Sequence, residues 1–119
     1  MATYTVQIPG GQISKELKSA LPEAIKDAHA NVTGAPRNLT QVAVLEIASA
    51  CFWLHGTPLE CHEIFVHGFV TGDRQHSSDT TRLRDAIACA VSGVVNSELQ
   101  SVVVSISEVS PDKMAPTSV

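Results

Sequence analysis

The segment Glu63–Val70 (EIFVHGFV) is a largely apolar run rich in β-branched and aromatic residues, which is typical of a β-strand. A turn at Gly72-Asp73 follows it, and either Ser78 or Asp79 can cap a helix whose apolar residues recur at helical spacing. The segment Ser101–Ser107 (SVVVSIS) predicts a second strand. This part of the chain is therefore expected to form a β-α-β unit with parallel strands, because the helix crosses from one strand to the next.

The first half of the chain has the same order of elements. Alternation over Tyr4–Ile8 predicts a strand, and Ser14 is the expected N-cap of a helix that ends at Gly34-Ala35-Pro36. Pro22 lies within this helix and is expected to bend it, because proline removes one backbone hydrogen bond. The segment Gln41–Ile47 (QVAVLEI) predicts a strand that is apolar enough to be largely buried.

The repeated pattern predicts an α+β fold in which tandem β-α-β units form one mixed sheet with two helices on one face. We expect a single domain over residues 1–119, with two pseudo-symmetric halves at about residues 2–47 and 62–108. The opposite face of the sheet is expected to be apolar, and self-association is the simplest way to cover it.

Composition narrows the classes of partner. Charged residues make up only 17% of the 119 residues, below the usual proportion of about 25%, as expected for a small chain that buries surface against copies of itself. The 8 basic residues form no run or stripe against 12 acidic ones, which argues against nucleic acid and anionic membranes. No stretch approaches the roughly 20 apolar residues of a membrane helix. Three cysteines without a secretion signal predict free thiols and a cytoplasmic location.

The segment between the two halves contains Cys51, His55, Cys61 and His62. Their spacing matches no standard zinc finger or ribbon, and neighbours such as Cys61 and His62 would point to opposite faces of a strand. We therefore expect no metal ion and no cofactor.

Short motifs along nearly the whole chain give it a family likeness. The most specific is Ile64–Gly68 with Arg74 downstream; the others are Asp27-Ala28-His29, Val32-Thr33-Gly34, Gln41-Val42, Glu46, Glu108 and Met114. With the doubled β-α-β plan, these motifs resemble the tautomerase superfamily, which includes 4-oxalocrotonate tautomerase and macrophage migration inhibitory factor. The likeness is greatest to the branch typified by cis-3-chloroacrylic acid dehalogenase.

The resemblance implies a tautomerase-like homotrimer whose sheets face inward, with a pocket around the residue that follows Met1. In active members this residue is proline, whose secondary amine acts as a general base or acid. Two arginines hold the substrate carboxylate, and a tyrosine and a glutamate activate water.

Most of that constellation is missing at the corresponding positions of this chain. Alanine (Ala2) takes the place of the proline, Thr71 that of one arginine, Ser105 that of the tyrosine and Pro116 that of the glutamate. By the same resemblance, His29 and Arg74 remain as residues that would bind a small carboxylate.

Two functions stay open at this point. The first is an isomerase-like protein with weak or no tautomerase activity on small 2-oxo or enol carboxylates and no dehalogenase activity. It requires removal of Met1, so that Ala2 carries a free amine with a reference pKa of about 7.7–8.0. The second is a non-catalytic trimer that serves as a binding or scaffold protein and keeps a pocket for a small anion. A retained Met1 favours the second, because it moves the amine by about 3.5 Å and turns the nitrogen of Ala2 into an amide.

Overall fold

A computed structural model describes residues 2–11, 13–48, 53–54, 57–58, 63–71, 77–95 and 101–109. Each strand and helix expected from the sequence is present, and the segment between the halves adds two short strands, β3 and β4, that pair with each other. The elements are β1 (Ala2–Pro9), α1 (Lys15–Thr33), a 3-10 turn (Arg37–Leu39), β2 (Thr40–Ile47), β3 (Trp53–Leu54), β4 (Thr57–Pro58), β5 (Glu63–Thr71), α2 (Ser77–Val95) and β6 (Ser101–Val109).

The main sheet has four strands in the order β2-β1-β5-β6. β1 runs parallel to β2 and β5 runs parallel to β6, whereas the central pair β1–β5 is antiparallel, with Val6 opposite Val66. Each β-α-β unit therefore contributes one central and one edge strand. This confirms the predicted mixed sheet and the α+β class.

Local chemistry sets the ends of α1. The Ser14 hydroxyl accepts a hydrogen bond from the backbone N–H of Leu17 at 3.3 Å, as an N-cap does. Gly34 ends the helix at φ +76°, a conformation that glycine adopts without strain, and its N–H donates to the Ala30 carbonyl. The helix continues through Pro22 to Thr33. The expected cap of α2 at Ser78 or Asp79 was wrong, since that helix already begins at Ser77.

The core lies between one face of the sheet and the two helices. Alternate residues of β1 and β5 point into it, and each fully buried aliphatic side chain contributes about 1.5–3 kcal/mol. The fully buried large side chains are Tyr4, Val6, Ile8, Leu21, Ile25, Ile64, Val66, Ile87 and Val91.

Corresponding positions in the helices of the two β-α-β units lie 62 residues apart. Both helices have 19 residues, and α2 begins 62 positions after Lys15. The same spacing relates the buried pair Leu21 and Leu83 and the buried pair Ile25 and Ile87. At these two helix positions the two units present the same aliphatic residues to a shared core.

The face of the sheet away from the helices, called the open face below, differs from expectation in two ways. β2 is not largely buried, because it is an edge strand and alternate residues such as Gln41 and Ala43 are exposed. The face is also mixed rather than apolar. Leu45, Phe69 and Val103 are 45%, 40% and 44% exposed, and threonine, glutamine and serine side chains alternate with them.

Candidate functional site

The N-terminal end of β1 lies inside the sheet rather than at its edge. Ala2 pairs with Thr40 of β2 on one side and with Val70 of β5 on the other. Its side chain is only 1% exposed and points into the core. The residue at the expected proline position is therefore held by strands on both sides.

Tyr4 lies two residues further along β1 on the same face, and it contacts His29 of α1. The Tyr4 Oη and the His29 Nδ1 are 2.8 Å apart, both residues are buried, and the rings meet edge to face with centroids 5.6 Å apart. The hydroxyl of Thr33 donates to the His29 carbonyl at 2.7 Å, which ties this last part of α1 together. The sequence assigned Tyr4 only to a strand. The available signal was that it is the one tyrosine in the chain and shares a strand face with Ala2.

Gly68 makes room for the tyrosine ring. It lies directly opposite Tyr4 in the β1–β5 register. A Cβ atom built on Gly68 would lie 2.5 Å from Tyr4 Cε1 and 2.7 Å from Tyr4 Cδ1. The missing side chain at Gly68 thus lets the ring of Tyr4 lie flat enough to reach His29.

Burial favours the uncharged form of both Tyr4 and His29. It raises the pKa of Tyr4, and it lowers the pKa of His29, to which the positive charge of the N-terminal amine adds a smaller lowering effect. Both effects favour the neutral imidazole form of His29.

The other candidate positions lie apart from this buried pair. Thr71 follows Val70, the β5 partner of Ala2, so its backbone is near the start of β1. Ser105 is exposed on the open face, opposite to the face that carries Tyr4 and His29. Arg74 and Pro116 lie outside the described residues, as do Cys51, His55, Cys61 and His62 of the connecting segment.

A shallow depression of about 260 Å³ lies beside Ser105 between α2 and β6. Thr80, Thr81 and Arg84 contribute polar groups to its wall. Arg84 is already paired with its neighbour Asp85, with nitrogen–oxygen distances of 3.0 and 3.2 Å. The depression is open to solvent and is separate from the Tyr4–His29 pair.

Among the described residues, no group of three or more histidine, cysteine, aspartate or glutamate side chains could hold a metal ion. Within the same residues, neither helix is long and apolar enough to cross a membrane.

Comparison with known proteins finds a family model that matches the first part of the chain. The family model described as "Tautomerase enzyme" matches residues 5–61, which span the first β-α-β unit and the connecting segment. No curated protein matches the chain.

Solved structures share the fold of this chain over nearly its whole length. A wild-type fused 4-OT in an asymmetric trimer matches with a TM-score of 0.80 at 19% identity, covering 96% of this chain and 91% of that one. A member of the cis-3-chloroacrylic acid dehalogenase (cis-CaaD) family matches with a TM-score of 0.80 at 23% identity, covering 96% of this chain and 79% of that one. Macrophage migration inhibitory factor from Toxoplasma gondii matches with a TM-score of 0.69 at 16% identity, covering 96% of this chain and 95% of that one.

Proposed function

We propose that this chain is a member of the tautomerase family that retains the pocket at the start of β1 but lacks the catalytic proline there. Tautomerase activity on small 2-oxo or enol carboxylates is then weak or absent, and dehalogenase activity is absent. The observation that carries the proposal is Ala2, which begins β1 between Thr40 and Val70. An alanine cannot supply the secondary amine that proline offers as a general base.

The N-terminus decides how much chemistry remains. If Met1 is removed, Ala2 carries a primary amine whose reference pKa is about 7.7–8.0, and a pocket that lowers this value further makes it a usable base. If Met1 stays, the nitrogen of Ala2 is an amide and no longer basic. His29 and Arg74 would hold the carboxylate of the ligand in both cases. The contact between His29 and the strand of Ala2 supports the histidine part of this assignment.

The second candidate is a non-catalytic homotrimer that binds a small anion or acts as a scaffold. It is supported by Leu45, Phe69 and Val103, three apolar side chains that are exposed on three different strands of the open face. An inward-facing arrangement of three sheets would cover them. The fused 4-OT relative named above is itself a trimer.

Ala2→Pro tests the first candidate. With Met1 removal verified by intact mass, we expect enolpyruvate ketonisation at least about tenfold faster than in the natural chain, since a positioned base contributes about 10²–10⁴-fold. Proline is tolerated at the first residue of a strand. Ala2→Gly is the matched control, because it keeps a primary amine and should give no gain.

No gain in Ala2→Pro with a verified proline N-terminus would show that the rest of the pocket has also been lost. Halide release from a 3-haloacrylate by the natural chain would contradict the expected absence of dehalogenase activity.

A further inference from the structure

We infer that Tyr4 is a positioning residue that holds His29 as a neutral imidazole with its proton on Nε2. In the proposed pocket the ring then acts as a hydrogen-bond donor toward a ligand oxygen and not as a cation. The part of this inference that concerns the ligand rests on the function proposed above; the part that concerns Tyr4 does not.

The hydrogen bond itself fixes the tautomer. A neutral imidazole has one donor and one acceptor nitrogen, and a tyrosine hydroxyl has a single proton to donate. The described part of the chain gives the Tyr4 hydroxyl one hydrogen-bond partner, His29 Nδ1 at 2.8 Å. A buried hydroxyl donates its proton where an acceptor is available, so Nδ1 accepts and the ring proton lies on Nε2.

Among the described residues, no carboxylate forms an ion pair or hydrogen bond with His29 that would favour the imidazolium. From its own helix, the nearest carboxylate in sequence is Asp27, which pairs with Arg37 at 2.7 Å on the surface. From β1 comes the neutral Tyr4, and from the chain terminus comes an amine whose positive charge opposes a second one on His29. Burial acts in the same direction.

The fold does not need a polar pair at this place. The positions 62 residues after Tyr4 and His29 are Val66 and Val91, and both valines are buried. The second half thus fills the equivalent site with aliphatic side chains on the same strand and helix faces. A hydroxyl–imidazole pair is therefore not required for packing. Of the two equivalent sites, only the one beside Ala2 has this pair, and the pair gives that site a defined proton position.

The test is side-chain ¹⁵N NMR of His29 in the natural chain and in Tyr4→Phe between pH 6 and 8. We expect the Nε2–H tautomer alone in the natural chain. In Tyr4→Phe, which keeps the ring and removes only the hydroxyl, we expect a mixture of both tautomers with an unchanged circular dichroism spectrum. His67 is the internal control, because it lies on the open face, is exposed, and should keep its signals in the variant.

A cationic His29 at pH 7, an Nδ1–H tautomer in the natural chain, or an unchanged tautomer in Tyr4→Phe would each overturn the role of Tyr4. Titration with pyruvate, a small 2-oxo carboxylate, distinguishes failure of the role of Tyr4 from failure of the proposed function. A shift of the His29 Nε2–H signal supports its role as a donor to the ligand. No shift, in a protein with the expected tautomer, counts against the pocket and leaves the role of Tyr4 supported.

Discussion

Gly68→Ala is expected to lower the free energy of unfolding by about 1–3 kcal/mol, the usual cost of overpacking a well-packed core. The added methyl group would lie 2.5 Å from the ring of Tyr4 and 3.0 Å from Ile106 Cδ1. The ring cannot swing toward solvent, because Tyr4 is fully buried and its hydroxyl is bonded to His29. Thermal or urea unfolding followed by circular dichroism measures the change.

Gly93→Ala is the matched control for this substitution. Gly93 is exposed within α2, and a Cβ atom built on it meets nothing within 4 Å. Alanine is favoured over glycine in a helix by about 0.5–1 kcal/mol, so this variant should be slightly more stable than the natural chain. In a Tyr4→Leu background, Gly68→Ala should cost less, since the ring it meets is gone. Equal behaviour of Gly68→Ala and Gly93→Ala would contradict the close packing of Tyr4 on Gly68.

Phe69→Glu is expected to convert the proposed homotrimer into a monomer. Phe69 lies on the open face in β5, one of the two central strands, so a carboxylate there would be buried without a partner once three chains associate, at a cost of several kcal/mol. The isolated chain should tolerate the change, because Phe69 is already 40% exposed in it. Light scattering after size exclusion, at micromolar concentration, gives the mass of each form.

The control for this prediction is Ser92→Glu, which adds the same charge at an exposed position of α2. It should leave the assembly intact. A natural chain that is already monomeric at micromolar concentration, or a Phe69→Glu variant that keeps its trimer mass, would refute assembly through the open face.

The sequence predicted the fold well because the periodicities of its strands and helices are unambiguous. The Ser14 cap and the Gly34 terminus were placed correctly from residue type alone. The burial of β2 was predicted wrongly, because the composition of Gln41–Ile47 cannot show that this strand lies at an edge of the sheet. That depends on which strands pair, and the antiparallel β1–β5 contact joins segments some 60 residues apart.

The candidate site was predicted less completely. His29 was identified by family likeness, yet its partner Tyr4 was missed because the contact crosses 25 residues and depends on the space left by Gly68. Ser105, which family likeness assigns to the pocket, lies on the open face. The type and order of residues do not show which face of the sheet a side chain lies on, whereas the register of the strands does.

The 62-residue equivalence has a consequence for what the two halves can become. Tyr4 lies opposite Gly68, and Gly68 is the counterpart of Val6 in the second half. If the two halves were separate chains of identical sequence, a glycine opposite the tyrosine would therefore have to stand at position 6 of both copies. Covalent linkage removes that constraint. One chain can keep the tight Val6–Val66 contact at its centre and still open space for a single tyrosine, so the halves are free to specialise separately.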